Sequence, residues 1–103
     1  MNNVEFELIL YAGNSKSSAM EAILLAKKGD FEDAQRKLEE ANEQLNLAHE
    51  VQTKLLVNNA RGEKCEVDIL MVHAQDHLNG ALITLELVTE MIEMYKLIKE
   101  GEK

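Results

Sequence analysis

The second half of the chain carries a long periodic pattern of apolar residues. From residue 67 to residue 95, apolar positions recur in alternating steps of four and three: Val67, Met71, Ala74, Leu78, Ala81, Leu85, Val88, Ile92 and Tyr95. Such spacing places one apolar stripe along an α-helix. The pattern predicts a helix from near Val67 to about Ile98, and we expect the last residues, KEGEK, to be frayed.

A second apolar stripe with the same spacing precedes the one at residues 67–95. The positions, again three and four apart, are Phe31, Ala34, Leu38, Ala41, Leu45 and Ala48, and the pattern continues to Leu55. Gly29 is suited to end a preceding helix, because glycine adopts positive φ at little cost, and Asp30 is suited to be the N-cap of the next. The second helix is therefore predicted to begin at about Phe31. Asn58, Asn59 and the aperiodic residues 61–66 predict the loop that follows it.

The first helix is predicted over residues 3–28. Ala19, Ile23 and Ala26 have helical spacing, whereas Gly13 is expected to disturb the helix. Proline is absent and only five residues are glycine, so the composition favours helices throughout. Short links between three helices predict an all-α, antiparallel, up-down-up three-helix bundle, with residues 1–103 forming a single domain.

The third helix has more apolar faces than such a bundle needs. Between Ile69 and Leu85 the only side chain with a formal charge at neutral pH is Asp76. Two further stripes flank the main one: Ile69, Val72, Asp76, Asn79 and Ile83 form the first, and Leu70, His73, His77, Gly80, Thr84 and Leu87 form the second. A helix of so small a protein can be buried on several sides at the centre of an oligomer, which predicts a symmetric trimer or tetramer packed through this helix.

Charge and cysteine content narrow the class of protein. The formal net charge of −8 argues against binding to nucleic acid or to anionic lipid. The single cysteine, Cys65, excludes an intrachain disulfide, and the N-terminal residues carry acids where a signal peptide would carry basic residues. We therefore expect a cytoplasmic protein. No stretch of the sequence reaches the roughly 20 consecutive apolar residues that a helix needs to cross a bilayer.

His73 and His77 are the candidate reactive residues. Lying four positions apart, they share one helical face, and Asp76 adjoins them. The pair could chelate zinc, although the catalytic H-E-x-x-H pattern would need a glutamate where the chain has Ala74. Alternatively, one imidazole could carry a phosphoryl group while its neighbour orients it, or both could be interface residues satisfied by Gln75, Asn79 or the backbone.

Asp76 belongs to the stripe that would face other subunits. In a symmetric oligomer its copies would meet near the axis, and carboxylates in a low dielectric repel each other unless a proton or a cation intervenes. The alternative is that Asp76 faces a hydrated groove. Its apolar neighbours Ile69, Val72 and Ile83 favour the shared proton or cation.

The segment MVHAQDHL at residues 71–78 resembles the signature of lactose/cellobiose-type enzyme IIA proteins of the bacterial sugar phosphotransferase system. The resemblance extends to AGNSKSSAMEAILLAKKGDFEDA at 12–34 and AHEVQTKLL at 48–56. It implies a homotrimer of three-helix subunits in which His73 accepts phosphate from the phosphocarrier HPr and passes it to a cysteine of enzyme IIB. The sugar imported would be of the β-glucoside/cellobiose, chitobiose or lactose type.

The resemblance also implies roles for neighbouring residues. Asp76 matches the family residue that binds a divalent cation at the trimer axis, described as Mg²⁺, so we expect one such ion per trimer. Gln75 and His77 are expected to support the phosphorylated imidazole across a subunit boundary. The membrane would be reached only indirectly, through the IIB and IIC components. Asn79 departs from the methionine usual in the family, which puts the packing of that stripe in doubt.

Overall fold

The chain is a bundle of three long helices. The computed structural model describes residues 4–63 and 68–102, with α1 at Val4–Lys27, α2 at Phe31–Ala60 and α3 at Ile69–Gly101. These ranges contain no strand, and the bundle extends over 59 × 21 × 19 Å. The all-α prediction is confirmed. Residues 64–66 of the predicted loop, which include Cys65, and Val67 at the predicted start of the third helix lie outside the described ranges.

Contacts between α1 and α2 show that the two helices are antiparallel. Asn14 near the middle of α1 donates to Gln44 of α2 at 3.0 Å, and Glu21, further along α1, pairs at 3.0 Å with the earlier residue Lys37. Hydrogen bonds from Lys37 to Glu21 and Glu40 raise the pKa of its ammonium group above the ordinary value. The third helix returns parallel to α1, which gives the predicted up-down-up order.

The core is aliphatic and rich in alanine, which allows close approach of the helix axes. All three predicted seams contribute to it, and the buried apolar residues are Leu8, Ala12, Ala19, Ala22, Ala26, Ala34, Leu38, Ala41, Leu45, Ala48, Met71, Ala74, Leu78, Ala81, Leu85, Val88 and Ile92. Ser15 is fully buried among them. Its hydroxyl donates to the backbone oxygen of Ala41 at 2.8 Å, so its burial leaves no unpaired donor.

The helix ends follow the sequence in part. Gly29 has a φ of 85°, as predicted for the residue after α1. Asp30 is the N-cap residue of α2, as predicted, but its side chain makes no capping hydrogen bond. Instead, the carbonyl oxygen of Asp30 accepts from the Ala34 amide at 2.9 Å. In α3 the N-cap does have a side-chain hydrogen bond, because Asp68 accepts from the Met71 amide at 2.9 Å.

Three boundary predictions need correction. Gly13 does not disturb α1, because a single glycine inside a helix that packs along its whole length costs only about 1 kcal/mol. The second helix continues through Asn58 and Asn59 to Ala60, since weak helix propensity at its end is compensated by hydrogen bonds from the Arg61 amide. The third helix ends at Gly101 rather than at about Ile98.

Truncating a core side chain away from the histidines should destabilise the bundle. Ile92, only 2% exposed, lies in the seam of α3. We expect Ile92→Ala to lower the free energy of unfolding by about 2–5 kcal/mol, because the lost methyl groups leave a cavity. Urea unfolding followed by circular dichroism at one fixed protein concentration measures this change. Leu47→Ala is the control, since Leu47 is 37% exposed, and an equal loss in both variants would contradict this account of the core.

Candidate functional site

The outer face of α3 carries exposed apolar side chains. Ile69 is 89% exposed, Val72 59% and Ile83 57%. Asp76 and Asn79 are exposed between them on the same stripe. Among the described residues α3 therefore buries only its main seam, and the stripe that the sequence predicts for other subunits stays exposed.

The structure brings His73 and His77 together on the flank of α3 away from α2. Their Nε2 atoms are 3.0 Å apart, and their ring centroids lie 4.5 Å apart with the planes nearly perpendicular. His73 is exposed, whereas His77 is half-buried. An N–H···N hydrogen bond needs one donor and one acceptor, so only one of the facing nitrogens carries the hydrogen. When His77 donates, the facing nitrogen of His73 carries no hydrogen, and its lone pair accepts the hydrogen bond.

Gln75 lies on the other flank of α3 and faces α2. Its Oε1 accepts from Gln52 Nε2 at 2.7 Å, and its Nε2 lies 3.8 Å from Met71 Sδ. Two positions along a helix turn the side-chain direction by about 200°, so Gln75 points away from His73 of its own chain. Any support that Gln75 gives to a phosphorylated imidazole must therefore reach another copy of the chain.

Asp76 lies between these two flanks. Its side chain lines an open groove of about 450 Å³ between the end of α2 and the start of α3, together with Leu55, Leu56, Asn59, Met71, Val72, Gln75 and Asn79. Within residues 4–63 and 68–102, no three His, Cys, Asp or Glu side chains converge as a metal site in one chain. A cation held by Asp76 would need ligands from further copies.

The arrangement suits nucleophilic chemistry at an exposed imidazole. His73 is open to a macromolecular partner, and His77 can fix its tautomer through the short contact between the two rings. Neither the Gln52 contact nor the Asp68 cap was found from the sequence. Asp68 could have been found, because it directly precedes the apolar run of α3, whereas nothing in the periodic pattern distinguishes Gln52 from other polar residues of α2.

Comparison with known proteins decides the class. A family model described as "PTS system, Lactose/Cellobiose specific IIA subunit" matches residues 3–96. The chain belongs to this family. It is thus a IIA component of a phosphotransferase system, and the segment with His73, Gln75, Asp76 and His77 lies inside the matched range.

Two curated relatives span nearly all of this IIA chain. The lichenan-specific enzyme IIA component of Bacillus subtilis (strain 168) is 51% identical over 100 residues, which cover 97% of this chain and 91% of that protein. The N,N'-diacetylchitobiose-specific IIA component of Escherichia coli (strain K12) is 39% identical over 99 residues, covering 96% and 85%. Matches of this length relate whole bundles and not an isolated motif.

Solved structures share the fold as well. The crystal structure of a cellobiose-specific enzyme IIA from Bacillus anthracis has a TM-score of 0.93 and 43% identity, with 97% of this IIA chain and 94% of that chain covered. A solution structure of the Escherichia coli chitobiose IIA in complex with HPr has a TM-score of 0.81 and 40% identity, with 93% of each chain covered. No helix in the described ranges is long and apolar enough to cross a membrane.

Proposed function

We propose that this IIA component is a phosphocarrier that accepts a phosphoryl group from phospho-HPr on His73 and passes it to a cysteine of its enzyme IIB. The observation that carries the proposal is the exposed His73 ring, whose Nε2 lies 3.0 Å from that of His77, in a chain of the IIA family. A related chitobiose IIA has been solved with HPr, which supports HPr as the donor.

Each transfer exchanges one bond to phosphorus for another. The lone pair of His73 Nε2 attacks the phosphorus, and the bond from phosphorus to its HPr donor atom breaks. The N–H of His77 can then donate to a phosphoryl oxygen in place of the ring nitrogen. In the second transfer the thiolate of IIB attacks, and His73 leaves as neutral imidazole. Phosphoryl transfer passes through a loose transition state, so catalysis rests on positioning and on charge stabilisation.

We also propose that the active form is a homotrimer built around α3. The exposed apolar stripe of Ile69, Val72 and Ile83 would be covered by parallel copies of the same helix about a threefold axis. In such a ring, one flank of each α3 meets the opposite flank of the next. Gln75 of one subunit would therefore face His73 of its neighbour, and the phosphorylation site would lie between subunits.

A divalent cation at the axis completes the proposal. Asp76 occupies the middle of the stripe, and its three copies would supply carboxylate oxygens, which are the ligands that Mg²⁺ prefers. Asn79, one turn further on, adds an amide oxygen to the same surface. This donor set fits a hard cation, one per trimer, whose charge would relieve the repulsion among the carboxylates.

Removing the carboxylate should remove the cation. We expect Asp76→Ala to abolish binding of Mg²⁺ or Mn²⁺, measured by isothermal titration calorimetry and by metal content after dialysis, where the unaltered protein holds about one ion for every three chains. Asp33→Ala is the control, because it deletes a carboxylate of α2 that pairs with Arg36. Unchanged metal content in Asp76→Ala would contradict the axial site.

The sugar delivered through this carrier is proposed to be a β-linked oligosaccharide of the cellobiose, chitobiose, lactose or related β-glucoside type. Four relatives at 39–51% identity are named for lichenan, lactose, cellobiose and chitobiose. Because the carrier exchanges phosphate with proteins only, the same site serves all of these pathways. The cognate IIB and IIC components select the sugar and link the carrier to the membrane.

The experiment that tests this function is phosphorylation with purified partners. Incubation with phosphoenolpyruvate, enzyme I and HPr should add an acid-labile phosphate to the chain, and omission of HPr should prevent it. A helical trimer with a purely structural role would acquire no phosphate. A hydrolase acting through the two histidines would instead bind zinc at one per chain, which metal analysis distinguishes from one hard cation per trimer.

A further inference from the structure

A hydrogen bond between α2 and α3 fixes the side chain of Gln75. Gln52 Nε2 donates to Gln75 Oε1 over 2.7 Å, and both residues are half-buried. An amide has one acceptor oxygen and one donor NH₂ group, so a partner on the oxygen determines which way the NH₂ group points. Gln52 thereby selects one of the two orientations that the Gln75 amide could adopt.

In this orientation the NH₂ group of Gln75 has no strong acceptor among residues 4–63 and 68–102. Its contact is Met71 Sδ at 3.8 Å, and a thioether sulfur is a weak acceptor. The amide also lines the open groove beside Val72, Asp76 and Asn79. A donor that lacks a strong acceptor and borders an open groove is suited to bind an anionic oxygen entering that groove.

We propose that Gln52 is a positioning residue of the phosphorylation site, which holds the Gln75 amide so that its N–H donates to the phosphoryl group on His73 of the neighbouring subunit. This inference rests on the proposed function. Gln52 itself does not touch the phosphoryl group. It acts by excluding the flipped amide, whose oxygen would face the phosphoryl oxygens and repel them.

Threefold symmetry places Gln75 and the neighbour's His73 at nearly the same height along the axis. Parallel helices related by a threefold axis are not shifted along that axis, so Gln75 of one α3 lies only about 3 Å higher than His73 of the next. His73 occupies the flank of α3 away from α2, and Gln75 occupies the flank that contacts Gln52. The two flanks are those that meet between neighbouring subunits. Gln52 thus contacts Gln75 on the flank of α3 from which Gln75 would reach the phosphoryl group of the neighbouring subunit.

The test reverses the orientation of the amide. In Gln52→Glu the new carboxylate can only accept, so Gln75 must turn its NH₂ group toward residue 52 and its oxygen toward the site. We expect the rate of phosphoryl transfer from phospho-HPr at saturating donor to fall about 10- to 100-fold, as for loss of one hydrogen bond to a charged group. Gln52→Met removes the bond without adding charge, leaves Gln75 free to rotate and should cost only a few-fold.

A control and a second measurement separate positioning from folding. Gln44→Glu adds the same charge on α2 but keeps an acceptor for Asn14, so its transfer rate should match that of the unaltered chain. Sedimentation and thermal unfolding of the variants test whether assembly and folding are intact. The ³¹P chemical shift of the phosphohistidine should change in Gln52→Glu and not in Gln44→Glu, since only the former alters hydrogen bonding to the phosphoryl oxygens.

The outcomes distinguish this inference from the function on which it rests. If the unaltered chain is labelled at His73 and folded, assembled Gln52→Glu transfers at the same rate, the role of Gln52 is wrong while the phosphocarrier function stands. If Gln52→Met loses as much activity as Gln52→Glu, the reversed orientation of the Gln75 amide is not the cause of the loss, and the inference is again overturned. If the unaltered chain takes no label, the proposed function itself fails.

Discussion

His73→Ala should accept no stable phosphate from phospho-HPr. The nucleophile of the proposed transfer is the exposed imidazole, and alanine offers no atom that can form a bond to phosphorus. His77 is half-buried and four residues away, so it should not substitute for the lost ring. Radiolabel from phosphoenolpyruvate, retained on the chain after removal of enzyme I and HPr at alkaline pH, measures the effect. We expect loss to background.

The matched control is His49→Ala. His49 is a half-buried histidine of α2, outside the HAQDH segment, and its removal should leave the label unchanged. Circular dichroism and sedimentation should show that His73→Ala remains folded and assembled, because an exposed side chain contributes little to the core. Persistent label in His73→Ala would assign the phosphate to another residue.

Ile83→Glu should dissociate the proposed trimer. Ile83 is 57% exposed in the single chain and lies on the stripe that parallel copies of α3 would cover. Three glutamates brought together in an apolar interface have no compensating partners, and the desolvation penalty is several kcal/mol per ion. Analytical ultracentrifugation should show monomers at a concentration where the unaltered chain is trimeric. Phosphoryl transfer should fall with it, because Gln75 is then separated from the neighbour's His73.

Leu47→Glu provides the control for an added charge at an exposed apolar residue. Leu47 lies on α2 and is 37% exposed, away from the α3 stripe, so this variant should remain trimeric and active. A trimeric Ile83→Glu would place the interface elsewhere. A monomeric Ile83→Glu with full transfer activity would show that the site is complete within one chain.

The helices could be predicted from the sequence because their cores are regular. Apolar residues at steps of three and four in α2 and α3 fix both the helix type and the buried face, and Gly29 marks the turn between α1 and α2. Interruptions and ends of the helices are predicted less accurately. Gly13 and Asn58 have low helix propensity, yet packing and end hydrogen bonds keep both in helices, which local patterns do not reveal.

The candidate site could be predicted only in part. Spacing on one helix placed His73 beside His77, and the contact of their rings confirms this local geometry. The roles of the residues around the two histidines depend on contacts with neighbouring helices. That Gln75 faces Gln52 is a contact between residues 23 positions apart, which helical periodicity does not encode. The placement of Asp76 at an axis depends on copies of the chain and stays a prediction.

In the proposed trimer, one stretch of α3 serves three functions, each on a different side of the helix. His73 on one flank would carry the phosphate beside His77, Asp76 on the outer face would bind the axial cation, and Gln75 on the other flank would serve the next subunit. A short segment can thus combine chemistry and assembly without a cavity of its own. This arrangement also predicts that each phosphorylation site needs two subunits.

The position of the phosphoryl group tests the central claim most directly. The unaltered chain, phosphorylated by phospho-HPr and kept at alkaline pH, can be fragmented by electron-transfer tandem mass spectrometry to locate the added mass. We predict that the phosphoryl group is found on His73 and absent from His49 and His77. A phosphoryl group on either of those residues, or none on the chain after full incubation with enzyme I and HPr, would contradict the account.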